Sequence, residues 1–146
     1  MKIYVLGSNS FVNHMVESKN LLCKLGYEGH IHPDYEAHVR GEKLAFVETI
    51  NPGDDSEHRR KNDYFRAHYK NILESDAILV INNEKKDIKN YIGGNVLIEM
   101  GQAFVNDKKI FLFNDIPMDL SYSDEIIAMD PICLHGDLEN IKNQTK

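Results

Sequence analysis

At 146 residues, read here as one domain over 1–146, the chain is long enough to bury one contiguous core and too short for two. Its 42% apolar and 27% charged residues are those of a globular protein and argue against wholesale disorder. A net charge of −6 argues against a nucleic-acid-backbone binder, which needs a basic face, but leaves small anionic ligands open.

Met1-Lys2 leads directly into Ile3-Tyr4-Val5-Leu6, a β-favouring apolar run that reads as a buried strand. No leader is expected there, and no apolar run approaches the ~20 residues that span a membrane, so a cytoplasmic location is expected. Gly7-Ser8-Asn9-Ser10 then reads as a tight turn. Phe11, Met15, Leu22 and Leu25 follow at broadly helical spacing, with Ser8 or Ser10 as N-cap and Gly26 as the stop. Tyr27–Ile31 is a candidate second strand, broken by His32-Pro33-Asp34. A helix over Tyr35–Glu48 follows, interrupted by Gly41. Asn51-Pro52-Gly53-Asp54-Asp55 is a loop signal. Ser56 is the expected cap of a long helix over Glu57–Glu74 that packs through Tyr64, Phe65, His68, Tyr69, Ile72 and Leu73.

Ala77-Ile78-Leu79-Val80-Ile81 is apolar on both faces, as a central parallel strand should be. A polar loop over Asn82–Ile92 follows, then a helix opened by Gly93 or Gly94 and running to about Asn106. Lys109–Phe113 is the next strand. A short helix near Asp124–Met129, a strand at Ile132–Leu134 and a terminal helix over Asp137–Lys142 complete the chain. Cys23 and Cys133 lie far apart in apolar stretches and read as reduced, buried thiols. Strands alternating with helices predict an α/β fold: a doubly wound, mainly parallel five-stranded sheet flanked by helices, Rossmann- or flavodoxin-like.

In such sheets ligands sit beyond the carboxyl ends of the strands, so the loops Gly7–Phe11, Asn82–Asn95 and Asn114–Asp119 matter most. Gly7, Ser8, Asn9 and Ser10 lead into a helix and suit a phosphate, a sugar hydroxyl or a carboxylate; a plain strand-to-helix turn is the alternative. The sharper feature is Gly93-Gly94-Asn95-Val96-Leu97-Ile98-Glu99-Met100-Gly101-Gln102-Ala103. It sets a carboxylate about one turn into a helix behind two glycines that permit close approach. Val96 or Leu97, Met100, Ala103 and Phe104 form its packing stripe. Asn95, Glu99 and Gln102 lie on a neighbouring strip that can face the ligand edge. The plainer alternative is a solvated glutamate favoured by the helix dipole.

These residues resemble the nucleoside 2-deoxyribosyltransferase superfamily, including its 2'-deoxynucleoside 5'-phosphate N-hydrolase branch. The resemblance runs through Lys2–Ser8, through Ile72–Val80 with its Ser75-Asp76 pair, through Glu99-Met100-Gly101-Gln102-Ala103, and through Lys108–Leu112. It implies a doubly wound α/β sandwich, dimeric or larger. The ligand would be a nucleoside or nucleoside 5'-monophosphate whose N-glycosidic bond is attacked by Glu99, giving a glycosyl-enzyme intermediate resolved by water or a second base. Gly7 and Ser8, with Asn9 and Ser10 beside them, would hold the sugar or its phosphate; Asp76, Gly93, Gly94 and Asn95 are further expected substrate contacts. The chain departs from the pattern at three places. Gly93 stands where family transferases have an aspartate, His68 stands at a second aspartate near the leaving base, and Asn95-Val96 replace a glycine-threonine or glycine-serine pair. His68 is either a proton donor to the leaving base or a helix-face histidine satisfied by a neighbour.

Tyr91 is placed to stack on a base or ribose, or to cover the core edge. His30, His32 and Asp34 are close enough to suggest a metal site, but no second cluster with ligand spacing accompanies them, so neither a metal nor a cofactor is expected. Arg59-Arg60-Lys61 reads as a solvated helix surface. Lys85, Lys86 and Lys89 make a charged loop able to meet an anion. Ser121 and Ser123 occupy the region from which family dimers reach a neighbouring site. A nucleotide-binding or sensing protein without catalysis and an NAD-cleaving enzyme are the rival readings; neither a nucleic-acid polymer nor a membrane is an expected partner.

Overall fold

The computed structural model of the chain describes residues 1–42 and 55–144, and the side chains of 55–61 are not part of that description. The elements are β1 (Lys2–Gly7), α1 (Val12–Lys24), β2 (Glu28–His30), α2 (Pro33–Val39), α3 (Asp55–Leu73), β3 (Ala77–Ile81), α4 (Gly94–Val105), β4 (Lys109–Leu112), α5 (Ser123–Ala128), β5 (Ile132–Cys133) and α6 (Ile141–Gln144). Single 3-10 turns at Asn9–Phe11 and Leu138–Asn140 lead into α1 and α6.

The five strands form one all-parallel sheet in the order β2-β1-β3-β4-β5. This is the doubly wound α/β architecture that the alternation of strand and helix patterns predicts. Side chains alternate across each strand. Ile3, Val5, Leu79, Ile81 and Phe111 therefore pack on one face with Met15 and Leu22 of α1 and Ile141 of α6. Tyr4, Leu6, Ile78, Val80, Ile110 and Leu112 pack on the other with Ile72 of α3, Met100 and Ala103 of α4, and Ile126 of α5. All five residues of β3 are buried, as a strand covered on both faces requires.

From β1 the chain moves outward to β2, then returns past β1 to β3. A crevice between the carboxyl ends of β1 and β3 follows from that reversal. The two strands meet closely there. A Cβ at Gly7 would lie 2.8 Å from the carbonyl oxygen of Ile81 and 3.3 Å from Met15 Sδ. Gly7 pairs with Ile81 in the ladder, so its missing side chain is what lets the strands and α1 close.

Several local expectations change. The second strand is shorter than Tyr27–Ile31 and ends before His32-Pro33-Asp34 as expected, but those residues also begin the next helix, ahead of Tyr35: Pro33 enters α2 at its start, and His32 Nδ1 accepts the Asp34 backbone N–H at 3.1 Å. Of the helix expected over Tyr35–Glu48, α2 covers the part to Val39, and 43–48 lie outside the described residues. Ser56 lies inside α3, and the loop expected over 51–55 lies outside the described residues except for Asp55, which begins that helix. Ser8, not Ser10, caps the turn before α1, accepting Ser10 N–H at 3.4 Å. Gly26 ends α1 with φ +92, a left-handed conformation that glycine tolerates. Phe104, expected to pack, is 47% exposed, and Tyr69 and Leu73 of α3 are also exposed. Cys23 is free but exposed, and Cys133 is only partly buried, because both fall on helix or strand positions turned from the core centre.

Candidate functional site

Glu99 is the sixth residue of α4, and its side chain turns inward between Val96 and Met100. It is 5% exposed, which rejects the solvated alternative. His68, also 5% exposed, comes from the facing side of α3, and its Nδ1 lies 3.9 Å from Glu99 Oε1. Below them Tyr4, on the α3–α4 face of β1, shares a 2.6 Å hydrogen bond with His68 Nδ1. Around His68 stand the rings of His32, Tyr35 and Tyr64, with centroids 5.5, 6.1 and 6.5 Å away. The rings are fixed from outside: the Tyr35 hydroxyl donates to Asn9 Oδ1 at 3.3 Å, and the Tyr64 hydroxyl donates to Asp34 Oδ2 at 2.5 Å. Four elements, β1, α2, α3 and α4, thus meet around one carboxyl group.

The electrostatics follow from burial. Desolvation pushes the Glu99 carboxyl up to about 8. His68 moves the other way, down to about 4, because burial and then the neighbouring His32 both disfavour its charged form. A 3.9 Å separation is that of a loose ion pair, yet both shifts run against one. The two groups sit at neutral pH as a carboxylic acid beside a neutral imidazole. Tyr4 and Tyr35 are shifted up, first by burial, with Glu99 among the charges that would oppose a phenolate. A buried carboxyl whose ionisation falls near neutrality, set among fixed hydrogen-bonding rings, is the arrangement expected of a reacting acid, base or nucleophile.

The carboxyl ends of β1 and β3 supply the rim. Lys85, from the loop after β3, donates from Nζ to Ser8 Oγ at 2.9 Å, and its ammonium lies 5.3 Å from the centre of the Tyr91 ring. Gly93, the N-cap residue of α4, is extended and offers no side-chain cap, so the first-turn N–H groups remain for solvent or a ligand. Gly94 and Asn95 are exposed on that turn. A Cβ at Gly93 would lie 3.2 Å from the Tyr91 hydroxyl oxygen, so Tyr91 takes up the space beside Gly93. Behind the rim, buried Asn82 donates to the Asp115 carbonyl at 2.9 Å and accepts the Asn114 N–H at 2.8 Å. Asn83 and His14 are joined at 2.8 Å. These amides tie the ends of β3 and β4 together and hold the crevice floor.

Asp76 does not belong to this site. It precedes β3 and receives the Lys2 N–H at 2.7 Å, closing the amino edge of the sheet. The five residues of β3, at about 3.3 Å each, separate it from the carboxyl edge. His30, His32 and Asp34 likewise go to different partners. His30 bonds Ser75 Oγ at 2.7 Å, and the other two serve α2 and Tyr64. Among the described residues no group of three or more His, Cys, Asp or Glu side chains is arranged to hold a metal. The Arg59–Lys61 side chains lie outside the description. Ser123 is turned onto its own loop, donating to the Leu120 carbonyl at 2.9 Å, and Ser121 is exposed.

Glu99 and His68 thus stand together and Asn9 reaches their cluster through Tyr35, while Ser8, Tyr91 and Gly93 are linked to one another through Lys85 and the Tyr91 ring; Gly7, Ser10, Gly94 and Asn95 lie on the adjoining turns, and Asp76 is apart. Tyr4, Tyr35 and Tyr64 were not expected there. Tyr4 reads in the sequence as one more member of an apolar strand. Its signal is that it alone in Ile3-Tyr4-Val5-Leu6 carries a polar atom into a fully buried position. No described helix is long and apolar enough to cross a membrane. Comparison with protein-family models, with curated proteins and with solved structures gives no match.

Proposed function

We propose that this protein cleaves the N-glycosidic bond of a nucleoside or nucleoside 5'-monophosphate, with Glu99 as nucleophile, in the manner of the nucleoside 2-deoxyribosyltransferase superfamily that its sequence resembles. The observation that carries the reading is Glu99 itself: a carboxyl group at the carboxyl edge of a doubly wound sheet, 5% exposed and 3.9 Å from a buried histidine. The ionised carboxylate attacks the anomeric carbon while the carbon–nitrogen bond breaks. The bonding pair leaves with the base, which takes up a proton from solvent water, and the proton is returned when the incoming water or base is deprotonated in the second step. Water or a second base then displaces the glutamyl ester. The uncapped start of α4 and the Ser8–Lys85 pair offer donors to sugar hydroxyls or a phosphate.

A second reading, a nucleotide-binding protein without turnover, is favoured by one observation. His68 replaces a carboxylate of the transferase pattern and is held neutral, with its Nδ1 already bonded to Tyr4. The experiment is base release from ribo- and deoxynucleosides, their 5'-monophosphates and NAD, followed by chromatography with and without an acceptor base. Wild type should release base from at least one member, and Glu99→Gln should lose on the order of a thousandfold or more. Binding of a panel member without release by wild type would establish the second reading instead. Nicotinamide release from NAD alone would redirect the substrate while leaving the role of Glu99 intact.

A further inference from the structure

The Tyr4 hydroxyl is sealed in the molecule: the residue is 0% exposed, and its partners among the described residues are His68 Nδ1, at 2.6 Å, and the side-chain amide of Asn71. A buried phenol must place its proton on an acceptor or leave it unsatisfied at a cost comparable to a lost hydrogen bond. Asn71 meets the phenol oxygen as a donor, its amide group turned so that Nδ2 also gives to the Ala67 carbonyl at 2.8 Å, so among the described residues the ring nitrogen is left to accept the phenolic proton. If Nδ1 accepts, it has no proton of its own, and the neutral ring holds its single proton on Nε2.

We propose that Tyr4 is a positioning residue that fixes His68 in the Nε2–H form, so that the ring nitrogen 3.9 Å from Glu99 carries a lone pair and not a proton. The groups facing His68 fit this assignment. Tyr4 approaches from β1, His32 and Tyr35 from the start of α2, Tyr64 from its own helix, and Glu99 from α4. Asp34, the nearby carboxylate, accepts from Tyr64. Nδ1 lies 3.9 Å from Glu99 Oε1, so the tautomer sets the sign of the ring dipole that the carboxyl faces. With Nδ1–H, the positive end of the ring dipole would lie on the Glu99 side and favour a glutamate anion through space. With Nδ1 occupied as an acceptor, Glu99 is left as an uncompensated buried acid and retains its proton. The consequence for catalysis rests on the glycosyl-bond reading; the position of the proton does not.

Nitrogen-15 spectra of the His68 ring, assigned by the signal that vanishes in His68→Gln, test this on the unliganded protein. Wild type at neutral pH should show a neutral ring protonated on Nε2. Tyr4→Phe removes only the hydroxyl. It should release the ring to a mixture of tautomers and raise its titration midpoint by about one unit, the size of one lost hydrogen bond to the neutral form. A wild-type ring protonated on Nδ1, or an imidazolium at neutral pH, would overturn the proposal whether or not Tyr4→Phe folds. So would a folded Tyr4→Phe protein whose tautomer and midpoint match wild type. The pH profile of base release should move with the ring in Tyr4→Phe, which a purely structural tyrosine would not cause. If the ring holds its proton on Nε2 and no base is released from any substrate, the tautomer assignment stands and the glycosyl-bond reading falls.

Discussion

Glu99 owes its properties to where one turn of helix places it. On the outer face of α4 it would ionise like any surface carboxylate; between Val96 and Met100 it loses water on every side and keeps its proton to about 8. That value separates two chemical roles. A nucleophile works as the anion, so kcat/KM should rise about tenfold per pH unit below the Glu99 pKa and level off above about 8. A general acid works protonated, so the same titration would appear as a fall. The pH–rate profile of wild type with its best substrate reads the sign directly, and a falling limb near that pH would remove Glu99 from the nucleophile's role. The residue itself is legible in the sequence, because two glycines and an inward-facing strip announce it. Its environment is not. Tyr4 looks like strand core, and Tyr35 and Tyr64 look like helix faces. Nothing local in the chain says that elements so far apart in sequence will bring their rings together.

At the scale of elements, periodicity served where one residue pattern determines the outcome. β3 is apolar on both faces, α4 is opened by a glycine pair and β1 is closed by a glycine, and each forms within a residue or two of its expected limits. The start of α2 was hidden because proline marks both a break and a first helical turn, and because the cap is a histidine, which is not a usual capping residue. Asp76 was drawn toward the site by its place in a motif, but direction along a parallel strand puts it at the opposite edge. The glycines make the same point energetically. Gly7→Ala forces a Cβ to 2.8 Å from a backbone oxygen that cannot retreat without opening the β1–β3 ladder, and should cost about 1–3 kcal/mol. Gly101→Ala, within α4 and with nothing within 4 Å of the new Cβ, should instead gain about 0.5–1 kcal/mol through helix propensity. Urea midpoints shifting in opposite directions at unchanged m would confirm both. A Gly7→Ala protein as stable as wild type would mean that the strands do not close as described.

For the whole molecule, the buried couple links the site to global stability. The Glu99 pKa is raised from 4.5 to about 8, so the folded state binds the more protons, and its contribution is fully present below 4.5 and lost as pH rises through about 8. The His68 pKa is lowered from 6.5 to about 4, so its contribution is present above 6.5 and lost as pH falls through about 4. Between about 4.5 and 6.5 the two slopes oppose each other and nearly cancel. Above 6.5 only the Glu99 slope remains, and at about 1.4 kcal/mol per pH unit it removes about 2 kcal/mol by pH 8. Exposed groups titrate in the same range, so the informative quantity is a difference between proteins. Glu99→Gln has no carboxyl to ionise, so its urea-derived stability relative to wild type should climb by about that amount from pH 6.5 to 8 and stay nearly flat above it. A difference that does not change with pH would mean that Glu99 is already ionised at neutrality, compensated by a group the apposition with His68 does not supply. The nucleophile would then be charged before any ligand arrives, and the rising limb expected in the rate profile would move to acid pH with it.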